Sequence, residues 1–103
     1  MASVPDVMVA ASNAYKVLLE NERVRVMEIR LKPGQTAPMH NHPNDHVVIV
    51  KNDTQMKLNF PDGKDAVFDL KAGQVLWIEA GPHEAKNTGS TDAANLVIEV
   101  KKK

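Results

Sequence analysis

Apolar residues in this chain recur with the period of a β-strand, in short runs broken by Gly, Pro, Asn and Asp. Tyr15–Glu20 is apolar and β-compatible, and Asn21–Glu22 turns the chain. In Arg23–Leu31, Val24 and Val26 share one face while Met27, Ile29 and Leu31 share the other. That change of phase predicts a β-bulge or a strand covered on both faces. Lys32-Pro33-Gly34 is a tight turn. Pro38 and Pro43 deny the backbone a donor, so the segment around them is an edge or irregular strand. His46–Val50 is a β-branched run. Met56, Leu58 and Phe60 then alternate with Lys57 and Asn59, Pro61–Lys64 is a hairpin signal, and Ala66, Phe68 and Leu70 alternate again. Val75–Ile78 is apolar throughout, which predicts a strand buried on both sides or at a subunit contact. A loop at Gly89–Asp92 leads to a last strand, Asn95–Val100. Residues 1–14 lack a clear period and read as an N-terminal arm with at most one helical turn, ahead of a single domain over 15–103. About eight to ten short strands without an amphipathic helix predict an all-β sandwich or barrel.

Composition narrows the function. At 103 residues the chain is one domain with a modest core, and a metal or a second subunit would help to hold it. With no cysteine, disulfides, thiolate metal ligands and cysteine nucleophiles are excluded. Thirteen basic residues balance thirteen acidic ones, so the broad basic field of a nucleic-acid binder is missing. The apolar runs are too short to span a membrane as helices. The first residues show neither a basic region nor a long apolar stretch of the signal-peptide kind. The expectation is a cytoplasmic protein without nucleic-acid or membrane partners.

Candidate chemistry gathers in two polar, turn-rich segments. His40, His42 and His46 lie within Pro33–Val50, and the fourth histidine of the chain, His83, lies within Glu79–Asn87. In a strand, residues i and i+2 share a face, so His40 and His42 can lean onto one ion. His46 has the same parity. Glu84 and Lys86 should face water, which turns His83, Ala85 and Asn87 inward. One interior histidine is usually a hydrogen-bonded core residue. Several buried together without an ion would leave unpaired polar groups, at about 1–3 kcal/mol each.

These residues resemble the two motifs of the cupin superfamily of small jelly-roll barrels. The first motif runs from a glycine through H-x-H and a glutamate to a second glycine. Here it reads Gly34, His40, Asn41, His42 and then His46 where the family has glutamate, with Asp53 in place of the closing glycine. The second reads Gly73, Glu79 in place of proline, Gly81, His83 after a spacer one residue short, and Asn87. The resemblance spans Gly34–Asn87 and points to the small single-domain, RmlC-like metal-binding members.

The resemblance implies a double-stranded β-helix, or jelly-roll barrel, with His40, His42 and His83 as metal ligands and His46 in the carboxylate's place. An all-imidazole shell leaves a divalent ion its full charge. It should favour zinc, nickel, iron or copper over manganese and magnesium, and attract a small anionic ligand. Asp45 lies one residue out of register for the lost carboxylate, and Asn87 is expected to brace the loop carrying His83. Arg23, Arg25 and Arg30 read as a solvated face, unless a bulge turns one inward to fork onto a carboxylate. Trp77 reads as core or a dimer contact. Two functions fit. One is a metalloenzyme, an oxidoreductase, isomerase or lyase, acting on an anionic or enolisable substrate as Lewis acid or dioxygenase. The alternative is a non-catalytic module that binds a metal or a small acid. A homodimer is expected in either case.

Overall fold

A computed structural model describes residues 4–102. After a short helix α1 (Val7–Ala10) come nine strands: β1 (Tyr15–Glu20), β2 (Val24–Leu31), β3 (Thr36–His42), β4 (His46–Val50), β5 (Thr54–Asn59), β6 (Asp65–Leu70), β7 (Val75–Ile78), β8 (Gly81–Asn87) and β9 (Ala93–Val100). They form a five-stranded sheet in the order β1-β2-β9-β4-β7 and a four-stranded sheet in the order β3-β8-β5-β6. The all-β barrel expected from the spacing of the strand signals is the one observed. Two turn glycines have a backbone reason: Gly34 (φ 81°) and Gly73 (φ 88°) sit third in turns closed by Gln35 N–H to Lys32 O and Gln74 N–H to Lys71 O, both at 2.9 Å. A positive φ at that position favours glycine.

Cross-strand register stacks the inner face of the larger sheet into rows. Tyr15, Ile29, Asn95 and Val50 form one row, and Val17, Met27, Val97, Val48 and Leu76 the next. The last row is Arg25, Glu99, His46 and Ile78. The hydrophobic core sits between the sheets, and Met27, Leu31, Ala37 and Val50 are almost fully buried in it.

Of the two expectations for the Arg23–Leu31 segment, a bulge or cover on both faces, the bulge is absent: β2 pairs with β9 without a break, and the register shift lies in β1, between Val17 and Leu19. Val24 and Val26 are half-buried on the outer face instead. A second shift, between Ala37 and His40 on β3, falls at Pro38, where the ladder lacks a donor. It resets the phase so that Ala37, His40 and His42 all point inward.

The arm is part of the core. Val7 and Ala11 are fully buried, and Asn41 N–H donates to Pro5 O at 2.7 Å along the free edge of β3. Asp6 caps α1 through Met8 N–H and makes a parallel bridge with Asn41. The β3 edge of the smaller sheet is thereby partly covered. Met1–Ser3 of the arm, and Lys103, lie outside the described residues.

Val75–Ile78 is not covered on both sides within the chain. β7 is an edge strand whose Leu76 and Ile78 turn inward, while Val75 and Trp77 are 62% and 57% exposed. Trp77 is therefore not core. Among the described residues no helix is long and apolar enough to cross a membrane.

Candidate metal centre

His40 and His42 share the inner face of β3, and His83 on β8 is the direct cross-strand partner of His40. His46 enters from β4 in the other sheet. All four are buried. His40, His42 and His83 each place a ring nitrogen within 4.8 Å of the other two. His46 is outside that trio; its ring lies against that of His42, with centroids 4.3 Å apart.

The rings are held by their outer nitrogens. His40 Nδ1 donates to Pro38 O at 2.6 Å, His46 Nδ1 to Asn44 O at 3.1 Å, and His42 Nδ1 to Glu99 Oε2 at 2.8 Å. That leaves the Nε2 lone pairs of His40 and His42 facing each other at 3.0 Å. Two bare acceptors at that separation repel unless a cation lies between them. Ligand nitrogens about 2.1 Å from one ion, and roughly at right angles, are about 3 Å apart. The donor set therefore fits a divalent metal.

Burial is the main force on the titration of the cluster. It pushes all four imidazoles below their usual range, with His42 and His83 down to about 2. The rings stay neutral and able to ligate across the physiological range.

Behind His42 runs a charged relay whose roles composition and spacing did not disclose. Glu99 is fully buried on β9. Its other oxygen accepts from Arg25 Nε at 3.0 Å, and the Arg25 guanidinium forks onto Asp6 at 3.1 and 3.0 Å. Burial pushes the Glu99 carboxyl up while Arg25 pulls it back. Asp6 is also penalised by burial, but its bonds to Arg25 and Met8 N–H hold it below the ordinary carboxylate range. One cation between two carboxylates leaves one net negative charge behind the neutral imidazoles. A carboxylate is thus present behind the imidazoles, as a hydrogen-bonded support for His42. Arg25 is not on a solvated face; it turns inward without a bulge in β2 and forks onto the protein's own carboxylates. The parity of Asn95, Val97 and Glu99 contains this signal, but Leu96, Ile98 and Val100 on the opposite face are the more apolar set and read as the inward one.

Other candidates fall elsewhere. Asp45 accepts from Ala80 N–H at 2.8 Å and ties the loop before β8. Asn87, fully buried, donates to Leu31 O and Thr91 O and accepts from Thr54 Oγ1 and Gly89 N–H, so it braces the turn after β8. Glu79 is exposed at the mouth. Tyr15, unremarked in the sequence, packs edge-on against the rings of His40 and His42, with centroids 5.3 and 5.7 Å away. Burial and the nearby Glu99 push its phenol up.

A groove of about 530 Å³ at the barrel mouth, edged by Trp77, Glu79, Asp62 and Phe60, leads to His83. Below it lies an interior cavity of about 60 Å³, which shares Leu58, Phe68, Ile78 and His83 with the groove.

Among known proteins, a relative in Pseudomonas aeruginosa, the β-alanine degradation protein BauB, is 33% identical over 86 residues, spanning 82% of this chain and 90% of its own. A cupin domain from Bordetella pertussis superposes with a TM-score of 0.79 at 28% identity, covering 99% of this chain and all of that one. An RmlC-like cupin with a double-stranded β-helix from Methanocaldococcus jannaschii gives a TM-score of 0.67 at 20% identity over 84% of this chain and 77% of its own, a likeness of fold alone. The family model for the cupin domain matches residues 27–99, from the inward strand that carries Met27 to the buried carboxylate behind His42, and the chain belongs to the cupin family.

Proposed function

We propose that His40, His42 and His83 hold a divalent transition metal (zinc, nickel, iron or copper), with His46 as the fourth ligand, and that the chain is a small metalloenzyme acting on a small anionic or enolisable compound. The observation that carries this is the pair of unprotonated Nε2 atoms facing each other at 3.0 Å, each ring fixed by its own Nδ1 bond. When bound, the metal would supply Lewis acidity, or redox chemistry with O₂ if it is iron. The protein's part is to keep the imidazoles neutral by burial, to orient His42 through Glu99, and to limit water by enclosing the site between two sheets.

One further feature supports a small carboxylate as ligand. The groove at the mouth carries Asp62 and Glu79 and no lysine or arginine, so it repels an anion and any attraction would have to come from the metal itself. The related protein from Pseudomonas aeruginosa is named for the degradation of β-alanine, itself a small carboxylate. A cavity beside His46 and His83 favours an enzyme over a closed binding module, since it leaves space for a substrate. The exposed Val75 and Trp77 support a homodimer formed across the outer face of β7.

The test is elemental analysis of protein purified without an affinity tag, followed by titration of the wild type and of His42→Ala with zinc, nickel, iron and copper, and with manganese for comparison. One zinc per chain, lost in the variant, is the expected result. Absence of stoichiometric binding by any of the four metals would remove the reading.

A further inference from the structure

Two polar side chains of the interior cavity have no partner among the described residues. Tyr15 and Asn95 lie in one row on the inner face of the larger sheet, on either side of Ile29. They are 6% and 4% exposed, and both line the 60 Å³ cavity beside His46 and His83. No described residue bonds to the Tyr15 hydroxyl or to Asn95 Nδ2, and neither atom is fully enclosed, whereas Asn95 Oδ1 is sealed off. The polar groups these two residues turn to open space are therefore a hydroxyl and an amide N–H, and the space both residues line is the cavity. A phenylalanine and a leucine would fill the same places without them. The cavity has room for about four to six water-sized groups, which is a short chain of non-hydrogen atoms.

We propose that Tyr15 and Asn95 are a pair of donors that binds the carbonyl oxygen of a short aliphatic ligand, held in this cavity beside the histidines. Its use as a substrate subsite rests on the metal reading above, because the histidines would hold the other end of the ligand. The chemistry of the lining fixes the class. No aspartate, glutamate, lysine or arginine lines the cavity, so an ammonium or a carboxylate there would lie unpaired among apolar side chains such as Met56 and Leu70. Asn95 Nδ2 can only donate. Burial and the nearby Glu99 push the Tyr15 phenol up, so it keeps its proton and can donate too. A carbonyl oxygen has two lone pairs and no proton of its own, and it takes both bonds without stranding a charge. Donors so placed hold the oxygen more strongly as it gains negative charge, which suits an enolisable carbonyl compound.

The test uses 2-butanone and 2-methyl-1-butene, which has a methylene group where the ketone has its oxygen. Binding is followed by NMR through the Asn95 side-chain amide and the Val97 methyl groups, in metal-free protein and after addition of zinc. The carbonyl carbon of isotope-labelled butanone is read in the same samples. In the wild type its resonance should lie downfield of its position in hexane, as for a carbonyl that accepts hydrogen bonds. Tyr15→Phe and Asn95→Leu should each weaken butanone roughly tenfold and move that resonance upfield. Both variants should bind the alkene at least as tightly as the wild type does. A hexane-like resonance in the wild type, no binding of butanone, unchanged butanone affinity in both variants, or an equal loss of ketone and alkene would each overturn the proposal. If Asn95→Leu does not fold, the wild-type resonance and Tyr15→Phe, which keeps the ring against His40 and His42, decide. Zinc stoichiometry on the same samples reads the metal proposal separately, since the ketone and the alkene need no metal to enter the cavity.

Discussion

Glu99 Oε2 lies 2.8 Å from His42 Nδ1, and both side chains are almost completely buried. The carboxylate fixes which nitrogen of His42 carries the proton and aims the other at the centre of the barrel. Glu99→Gln keeps an acceptor but loses the charge, and should weaken zinc binding by about 10–100-fold. Competition against a chelator of known affinity measures this. Unchanged affinity would mean that Glu99 serves the fold alone.

His46 offers a sharper test of the ligand set. It is outside the trio whose nitrogens lie within mutual reach. His46→Ala should therefore weaken metal binding less than His42→Ala, because it leaves intact the three imidazoles whose nitrogens lie within mutual reach, enough for an open site. His46→Glu should shift preference from zinc toward manganese, since a carboxylate oxygen suits the harder ion. Titration of each variant with both metals is the measurement, and an unchanged preference in His46→Glu would make His46 a packing residue.

Acid should destabilise the metal-free protein. All four histidines have folded pKa values below their unfolded value of 6.5, so the unfolded chain binds more protons as the pH falls. The stability due to their neutral burial is complete above that pH and is lost below it, by up to about 1.4 kcal/mol per pH unit for each imidazole. Glu99, pushed up by burial, acts in the opposite direction, but it is one group against four. Urea melts at pH 7.5 and 5.5 should show a lower midpoint at the lower pH, and bound zinc should steepen the dependence.

Asn95 offers a test of stability. Removing a buried acceptor that has no donor among the described residues relieves a penalty of about 1–3 kcal/mol, less any loss of packing. Asn95→Leu should accordingly raise the thermal midpoint of the metal-free protein by a few degrees. A lower midpoint would show that Asn95 contributes to the fold in some other way.

Val75→Lys tests the proposed dimer. Val75 is 62% exposed on the edge strand β7, away from the histidines. If this face joins two copies, they should bury at least about 1,000 Å² together. The substitution should convert dimer to monomer in sedimentation while leaving zinc stoichiometry intact. A wild type that sediments only as monomer at micromolar concentration would remove the dimer.

Much of the fold was legible because strand signals are local. Alternation in Met56–Phe60 and Ala66–Leu70, and the turn glycines at 34 and 73, depend on neighbours along the chain. The inward face of His83 could be read from its charged neighbours Glu84 and Lys86. Arg25 and Glu99 could not be placed that way. Their positions 74 residues apart become adjacent only when β2 pairs with β9, and nothing local announces the pairing. The phase change near Val26 is visible in the sequence, but its two explanations, a bulge or cover on both faces, look the same there; the structure has no bulge in β2 and half-buries Val24 and Val26 on the outer face. The apolar neighbours of Trp77 allow either core or contact, and the structure removes the first, because Trp77 points to the outer face of β7.

The N-terminal arm has a consequence for handling this protein. Pro5 O is bonded to the amide of Asn41, the residue between two of the histidines, while Asp6 grips the arginine that supports Glu99. The first described residues thus act as a buckle for the barrel, fastened at both its backbone and its charges. Protein shortened past Asp6 would keep its nine strands but loosen around His40 and His42, and hydrogen exchange at Asn41 would show the release directly. A bulky fusion joined close to Pro5 would strain the same fastening, so an affinity label is better placed at the other end of the chain.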